Sequence, residues 1–580
     1  MNKLFLSVIM AATALTLSYC SQSQTDSSLK IREMNQAEMQ ADFDQMVRYI
    51  SDFYGPLEYK ERRFGFELNQ LAQEYRTRLA SAHTDMEAFG IYREFLSRFQ
   101  DGHVGIRFFN FPGDILKYQA PLFVAPYYDE QSTSYKVIVE HVETDKLVFA
   151  NIAVGDEVVM VDGKPIMEYL PTIQKYDTVG YEETDRHLIY KVFDRKSYMT
   201  ELVPQNDNVE VTFRNADGET YKESLLWEVK KMDKTPFVTD SVQGRLNLFS
   251  TAAADFNEDT KRFSFRRFGD VKPFYLNETT QSQFDLQRVY ANETMLKKYG
   301  IESMDKAPDI YAAMYEYEGK NILLIRNPTY SPGDWDLQME HMKHYRAILD
   351  QYDSIADVLV VDQTHNGGGS YCTEFAQLFL KEQGRGPVQA NNADRLWIRN
   401  LLSWVEAEKS DARTQNRKPD NALIRLLESI VVRIETAIDQ NQSLTEQLPF
   451  FASVHLKPDA SYSWKKPLLV LSDELDGSCA DIMPMLIKAN GSAKIFGRRT
   501  MGLGGNVEPM PDLNISGASV RLTRGLFTTY NEEESYPDNI LIENNGVEPD
   551  YEHIITVDDF RNGFTGYVEA FSKKAIEQID

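Results

Sequence analysis

The sequence predicts a multidomain α/β protein in which a helical N-terminal region precedes a β-rich region and an α/β core. Three patterns along the chain predict this class. Apolar residues recur at three- and four-residue steps between 33 and 100, short β-segments with turns follow from about 118 to 230, and continuous apolar strands alternate with helices from 320 onward. Hydrophobic cores stop growing near ~250–300 residues, so a chain of 580 residues is expected to form several domains.

The N-terminus has the pattern of an export signal. A short positive start is followed by an apolar run that is too short to span a bilayer permanently. Leu17–Cys20 resembles a lipoprotein cleavage box with Cys20 as the lipidated residue, although Tyr19 replaces the usual small residue, and ordinary signal cleavage is the alternative. We assign 1–20 to the signal peptide and the serine-rich 21–32 to a tether. The expected location is the periplasm or cell envelope, with an outer-membrane lipoprotein as one form of it.

Composition excludes several classes of partner. The net charge of −26 would repel nucleic-acid phosphates, so we expect no nucleic-acid partner. Without Cys20 only Cys372 and Cys479 remain, which predicts neither a disulfide framework nor a zinc site. We therefore expect stability from packing alone, no metal and no cofactor.

Residues 33–112 are predicted to form an N-terminal helical domain. The stripe that predicts it ends abruptly at the turn Gln100–His103, after which an alternating strand pattern begins.

The next region, 115–230, is predicted to be a β domain. Gly155-Asp156 is read as a turn, Val158–Val161 as a strand and Asp162-Gly163 as a tight hairpin turn. This stretch resembles a PDZ domain, a module that captures peptide C-termini by adding them as a strand to a sheet edge. Pro121–Val124 is the candidate for its carboxylate-binding loop.

The remaining chain divides into an extension and a core. Residues 231–310 have no sharp pattern and are assigned to an insertion or extension. The α/β core is assigned to 311–580, with a helical insertion at about 386–460. Two continuous apolar strands within it, Ala356–Asp362 and Pro467–Ser472, are of the kind that is buried on both faces.

Each of these strands ends in a glycine-containing junction, where ligand sites form in α/β sheets. Gly367–Gly369 follow the first strand, and such a run brings backbone N–H groups close to a substrate. The spacing of a phosphate loop is absent, so donors aimed at an oxyanion fit better. Ser478 follows the second strand at the start of a helix, where its Oγ is exposed; a simple helix N-cap is the alternative for this serine.

Six short motifs resemble those of the C-terminal-processing/tricorn serine peptidases, and most closely the branch of the chlamydial protease-like activity factor. They occur in family order: Asp101–His103, the PDZ-like stretch 149–166, Asp362–Gly369, Ser478–Asp481, Thr500–Gly505 and Glu543–Asp550. The resemblance implies a ClpP/crotonase-like peptidase core and an endopeptidase that forms an acyl-enzyme on Ser478. It also implies protein or peptide substrates and a homodimer.

The same resemblance implies how the serine is activated. One branch of the family uses a lysine base, but Leu503 occupies that position here and cannot accept a proton. The other branch uses a histidine and a glutamate, which match His103 as general base and Glu543 as orienting acid. His365 is the second candidate for the base, although a structural or substrate-contact role suits it better.

The predicted oxyanion donors are the backbone N–H groups of Cys479 and of Gly368 or Gly369. The thiol of Cys479 is a weaker candidate nucleophile, because it follows the family serine by one residue. Two other functions stay open from the sequence. One is a non-catalytic ligand- or peptide-binding protein on the same fold, and the other is an adaptor led by the PDZ-like domain.

Overall fold

The computed structural model describes residues 32–107, 114–143, 151–232, 271–301, 310–333, 335–414, 416–419, 421–450 and 453–579. The predicted signal peptide, Cys20 and nearly all of the tether lie outside these ranges, as does much of the predicted extension. The described residues form N-terminal helices, a β domain and an α/β core, which confirms the predicted class.

Four helices make up the N-terminal region: α1 Gln36–Phe53, α2 Leu57–Phe64, α3 Leu68–Leu79 and α4 Asp85–Ser97. Capping boxes at Asn35 and Thr84 satisfy the first N–H groups of α1 and α4. The buried Asp42 carboxylate accepts the N–H groups of Ile515 and Ser516 at 3.0 and 2.7 Å. This helical region is therefore joined to the C-terminal half of the chain by buried hydrogen bonds.

The described residues of the β-rich region form ten strands and two short α-helices: β1 Gly105–Arg107, β2 Leu116–Gln119, β3 Leu122–Asp129, β4 Ser134–Val142, β5 Glu157–Val161, β6 Lys164–Pro165, α5 Leu170–Gln174, α6 Glu182–His187, β7 Asp194–Lys196, β8 Asn208–Arg214, β9 Thr220–Leu226 and β10 Glu228–Lys231. The main sheet has the order β3-β4-β5-β8-β9, with β6 paired to β5, so β3 is an edge strand. Asp162 and Gly163 have φ values of +49° and +76°, as the predicted hairpin turn requires.

The described part of the predicted extension contains three short elements: α7 Glu278–Gln283, β11 Gln287–Arg288 and α8 Glu293–Lys298. The core that follows consists of β12 Ala312–Tyr317, β13 Lys320–Arg326, α9 Trp335–Tyr352, β14 Val358–Asp362, α10 Cys372–Gln377, β15 Gly384–Arg385, β16 Pro387–Asn392, α11 Arg395–Thr414, α12 Asn421–Asp439, β17 Leu444–Pro449, β18 His455–Leu456, β19 Leu468–Ser472, α13 Cys479–Ala489, β20 Lys494–Gly497, β21 Val507–Pro509, β22 Ser519–Thr523, β23 Gly525–Thr529, β24 Tyr551–Glu552, α14 Val557–Arg561 and α15 Thr565–Ile576.

The central sheet of the core has the order β11-β12-β13-β14-β19-β20-β24, in which the five strands β13, β14, β19, β20 and β24 run parallel. Every residue of β14 and β19 is buried. Helices α9, α10 and α13 cover one face, and α15 covers the other. Burial on both faces explains why these two strands are continuously apolar.

The predicted insertion begins as a strand and then becomes helical. Strand β16 pairs with β17 and β23, whereas α11 and α12 form a hairpin with a hydrophobic cluster of its own. Strand β1, which leads out of the N-terminal helices, pairs antiparallel with β22. Both pairings bring sequence-distant segments beside the C-terminal part of the core.

Within the described residues, no helix has both the length and the apolar character to cross a membrane. Over the same ranges, no group of three or more His, Cys, Asp or Glu side chains is arranged to hold a metal ion.

Candidate active site

Ser478 lies between β19 and α13 in an unusual backbone conformation. Its φ is +58° and its ψ is −117°, a region that residues with a Cβ rarely adopt. Such strain costs about 1–3 kcal/mol and clusters at functional sites. Ser478 occupies the N-cap position of α13, but its hydroxyl accepts no N–H of that helix. Helix capping therefore does not explain the serine.

The glycine loop lies directly against Ser478. A Cβ atom added to Gly368 would lie 2.7 Å from the Ser478 Cβ and 2.9 Å from the backbone nitrogen of Cys479. At Gly369, where φ is +145°, an added Cβ would lie 2.1 Å from the carbonyl carbon of Tyr330. Only glycine fits this approach. The two junctions meet because β14 and β19 are neighbouring parallel strands that end at the same sheet edge.

The backbone donors predicted for the oxyanion differ in availability. The N–H groups of Cys479 and Gly369 have no acceptor in the part of the chain that the structure describes. Cys479 is the first residue of α13, where the helix dipole adds positive potential. The Gly368 N–H instead donates to Asn366 Oδ1 at 2.9 Å. Two of the three donors are thus open, and the third stabilises its own loop.

Buried carboxylates fix both loops. Asp476 accepts the Asn366 N–H at 2.9 Å, and the Gly477 N–H donates to the Asn366 carbonyl at 3.0 Å. Asp481, on the first turn of α13, accepts the N–H groups of Gly502 and Leu503, each at 2.9 Å. Hydrogen bonds therefore join Ser478, the glycine loop and the segment around Leu503 into one unit.

His103 follows a tight turn that Asp101 holds in place. One oxygen of the Asp101 carboxylate accepts the His103 N–H at 2.8 Å, and the other accepts the hydroxyls of Tyr54 at 2.9 Å and Thr523 at 2.8 Å. Arg521 Nε donates to the His103 carbonyl at 2.8 Å. The backbone of His103 is therefore fixed by α1 and β22 together.

The imidazole of His103 is fully buried, and neither ring nitrogen has a hydrogen-bond partner among the described residues. Burial lowers the pKa of His103 to about 4; Asp101 opposes this shift, whereas Arg521 and Lys60 add to it. The ring is therefore neutral near pH 7 and able to accept a proton. In the described structure no hydrogen bond joins it to Ser478 or Glu543.

Leu503 contacts the two segments that carry His103 and Ser478. An added Cβ on Gly102, next to His103, would lie 3.1 Å from Leu503 Cδ2, and one on Gly477, next to Ser478, would lie 3.1 Å from Leu503 Cδ1. Leu503, at the position where the resemblance expected a lysine, thus packs against the segments that carry His103 and Ser478. The structure brings these segments to one side chain, although their own side chains are not yet hydrogen-bonded.

Glu543 is fully buried in the same region. Its Oε2 accepts the Gly504 N–H at 2.9 Å, and its Oε1 contacts Lys60 Nζ. Burial and the neighbouring Asp101 raise the pKa of Glu543 to about 7, while Lys60 lowers it. Glu543 and His103 therefore share a buried charge cluster with Asp101 and Lys60, in which Glu543 contacts the lysine rather than the imidazole.

His365 has a separate partner. Its Nδ1 lies 2.6 Å from Asp473 Oδ2, and its ring packs against Phe274 with centroids 5.1 Å apart. Asp473, His187 and Glu474 line the same cavity as His365, which lies beside β3 and β4. Its contacts agree with a structural role.

The structure corrects the expectation that the cysteines stay unpaired. Cys372 and Cys479 form a disulfide with their Cα atoms 5.4 Å apart. Each is the first residue of a helix, α10 or α13, and these helices pack together in the core. The bond therefore joins the helix after the glycine loop to the helix after Ser478. Cys479 is also unsuitable as a nucleophile while its sulfur is in this bond.

Two residues near the base were not predicted as site residues. Asp101 was noted only as part of a motif, although a carboxylate two residues before His103 was a usable signal. Lys60 gave no signal, because Lys60 and the arginines after it read as the exposed face of a helix. Its side chain is instead fully buried against Glu543.

Comparisons with known proteins fit this geometry. Residues 321–553 match peptidase family S41, and residues 124–251 match the PDZ domain. A protein of Chlamydia trachomatis serovar D is 23% identical over an alignment that covers 91% of this chain and 90% of the relative. An uncharacterized protein of Chlamydia muridarum is 24% identical with the same coverage.

Two solved structures have a similar fold. Mature CPAF complexed with lactacystin has a TM-score of 0.69 at 20% identity, covering 94% of this chain and 99% of that chain. Another structure of mature CPAF gives 0.69 at 20% identity and covers 94% and 98%. At this identity the similarity shows a common fold.

Proposed function

We propose that this chain, a serine peptidase with an S41 domain and a PDZ domain, is an exported endopeptidase that forms an acyl-enzyme on Ser478. The observation that carries the proposal is the serine junction itself. Ser478 has a strained backbone, and its hydroxyl does not cap the helix that follows. It lies beside the glycine loop and beside the Cys479 N–H, which has no acceptor among the described residues. Strain without a structural benefit favours a catalytic role.

In the proposed reaction His103 is the general base. It accepts the Ser478 proton as Oγ attacks the substrate carbonyl, and it then donates that proton to the leaving amine. Burial keeps the ring neutral before the reaction, and Asp101 offsets part of the cost of burying the imidazolium that then forms. Asp101 and Glu543 stabilise the imidazolium, with Glu543 as the orienting acid. A movement of the ring toward Ser478 on substrate binding completes the pair, since such hydrogen bonds often form only in the complex.

The tetrahedral oxyanion is proposed to bind to the N–H groups of Cys479 and Gly369. Both are open in the described structure, and each such donor lowers the barrier by about 3–4 kcal/mol. The helix dipole of α13 adds to the first of them. The charge therefore develops where donors are already in place.

Ser478→Ala tests the proposal directly in a casein digestion assay with the mature chain. We expect cleavage to fall to background and labelling by a fluorophosphonate probe to disappear. Ser492→Ala is the matched control, because Ser492 lies just beyond the other end of α13 and should leave both readouts unchanged. Equal cleavage by Ser478→Ala and the wild type would contradict the peptidase mechanism and leave the non-catalytic alternative.

The PDZ domain is proposed to receive substrate as an added strand. Its edge strand β3 borders a small groove that is lined by Leu122, Phe123, Val124, Tyr190, Phe193 and Asp194. The first three residues belong to Pro121–Val124, the stretch predicted to be the carboxylate-binding loop, but they form the start of β3 instead. Fluorescence anisotropy with a free-acid peptide and its C-terminal amide tests this. Equal affinity for the free acid and the amide would indicate that the domain captures internal segments. No binding of either peptide would contradict a role of the PDZ domain in receiving substrate.

Export and anchoring are proposed from residues 1–20 alone. Metabolic labelling with a radioactive fatty acid should mark the wild type and leave Cys20→Ala unlabelled. An unlabelled wild type found in the periplasm would favour ordinary signal cleavage, and an uncleaved cytoplasmic chain would contradict export. The homodimer stays a prediction that sedimentation velocity can test.

A further inference from the structure

Lys60 is a fully buried lysine on a helix that otherwise presents its cations to solvent. Its side chain is 0% exposed, whereas Arg62 on the same helix is 58% exposed and pairs with Asp538. Burial of an ammonium is unfavourable unless it is paired and hydrogen-bonded. A lysine in this position therefore needs a specific reason.

The ammonium of Lys60 has three acceptors for its three protons. It contacts Glu543 Oε1, and it donates to Asn544 Oδ1 at 2.6 Å and to the Gln100 carbonyl at 3.0 Å. An ammonium has three donors and no acceptor, so its hydrogen-bonding capacity is fully used.

These acceptors belong to the two segments that carry the proposed acid and base. Gln100 begins the turn that leads to His103, and Glu543 is the acid itself. The Asn544 amide joins the same segments, since its Nδ2 donates to the Gln100 carbonyl at 2.8 Å. Lys60 thus lies where the base-carrying turn and the acid meet, and it comes from α2 of the N-terminal helices.

The surroundings of Glu543 show what the charge of Lys60 does. Glu543 lies close to a second buried carboxylate, Asp101, and mutual repulsion favours protonation of one of them. Lys60 lowers the pKa of both carboxylates. The titratable groups around this carboxylate are Lys60 and Tyr59 on α2, Tyr54 at the end of α1, and Asp101 and His103 on the turn, with Arg521 on β22 near the last two.

We propose that Lys60 is a positioning residue of the active site, which holds the Glu543 carboxylate ionised and in register with the turn that carries His103. The inference rests on the proposed function and deepens it. Lys60 acts through Glu543 and the turn and does not touch the reacting atoms. The N-terminal helices thereby become part of the catalytic unit.

The test compares Lys60→Met, which keeps the length and apolar stem of the side chain, with Arg62→Met as the matched control. Loss of Lys60 raises the pKa of Glu543 further, so less carboxylate is ionised at a given pH. We expect kcat/KM at pH 7 to fall about 100-fold with little change in KM. The acid limb of the profile should move to higher pH, so that activity partly recovers toward pH 9. Arg62→Met should match the wild type.

A purely structural role predicts a different result. Partial unfolding of Lys60→Met would lower the fluorophosphonate-reactive fraction by the same factor at every pH and leave the profile unshifted. An unshifted acid limb with wild-type kcat/KM per reactive site would overturn the proposal.

A second variant covers the case in which Lys60→Met does not fold. Lys60→Met/Glu543→Gln removes both buried charges, and we expect its kcat/KM to equal that of Glu543→Gln alone. A double variant at least tenfold below Glu543→Gln would overturn action through Glu543. Ser478→Ala is measured in parallel: cleavage that persists in Ser478→Ala contradicts the proposed function, whereas cleavage lost there but kept in Lys60→Met contradicts only the positioning role.

Discussion

The two halves of the candidate site are built in opposite ways. The serine half lies at the carboxyl ends of β14 and β19. In it the Ser478 hydroxyl does not cap its helix, and the N–H groups of Cys479 and Gly369 have no acceptor among the described residues. The histidine half is fully buried, and the charged groups that act on His103 are Lys60 of α2, Asp101 on the turn and Arg521 on β22. The first half is ready for substrate, whereas the second lacks a hydrogen bond to the serine. In the proposed mechanism, alignment of the His103 ring with Ser478 is therefore the step left for substrate binding.

The largest expected effect separates the two histidines. His103→Ala should lower kcat about 10⁴–10⁶-fold, because a single missing member of a Ser–His pair removes nearly all of its contribution. His365→Ala should stay within about tenfold of the wild type, since His365 is engaged by Asp473. Steady-state cleavage of one peptide substrate measures both. A larger loss of activity in His365→Ala than in His103→Ala would indicate that His365 is the base and would contradict the role proposed for His103.

An intermediate effect is expected in the serine half. Gly368→Ala places a methyl group against Ser478 and Cys479, so we expect kcat to fall about 10²–10³-fold. Gly319→Ala is the matched control, because Gly319 also has positive φ, at +75°, but an added Cβ meets no atom within 4 Å. Equal activity losses in the two variants would mean that backbone strain, and not proximity to the nucleophile, explains the effect.

The smallest expected effect on activity concerns the disulfide. Cys372→Ser should lower the free energy of unfolding of the core by about 2–5 kcal/mol and move its thermal transition down. Reductant should lower the transition of the wild type and leave Cys372→Ser unchanged. Peptide mapping after alkylation without reduction provides the check. Alkylated Cys372 and Cys479 in the folded wild type would contradict the pairing.

The same contrast explains how much of the protein was predictable. Strands β14 and β19 were predicted because burial on both faces requires continuous apolar residues, and the turn at Asp162 was predicted because its residue types tolerate positive φ. The peptidase and PDZ assignments were confirmed by the family matches. The serine half follows from local patterns of this kind, except for its disulfide, which joins distant segments.

The histidine half depends on contacts between distant segments. Lys60 meets Glu543 across 483 positions of sequence, and the disulfide spans 107. Neither pairing leaves a periodic signal, because each depends on how helices pack after folding. The disulfide expectation was wrong for that reason. The triad of Ser478, His103 and Glu543 stays a prediction.

The most direct test of the central claim is a crystal structure of the mature enzyme with a peptidyl boronate. We predict a covalent bond from Ser478 Oγ to boron, with a His103 ring nitrogen within about 3 Å of Oγ. A boronate oxygen should accept the N–H groups of Cys479 and Gly369. A boronate bound elsewhere, or a His103 ring that still has no partner beside the adduct, would contradict the account.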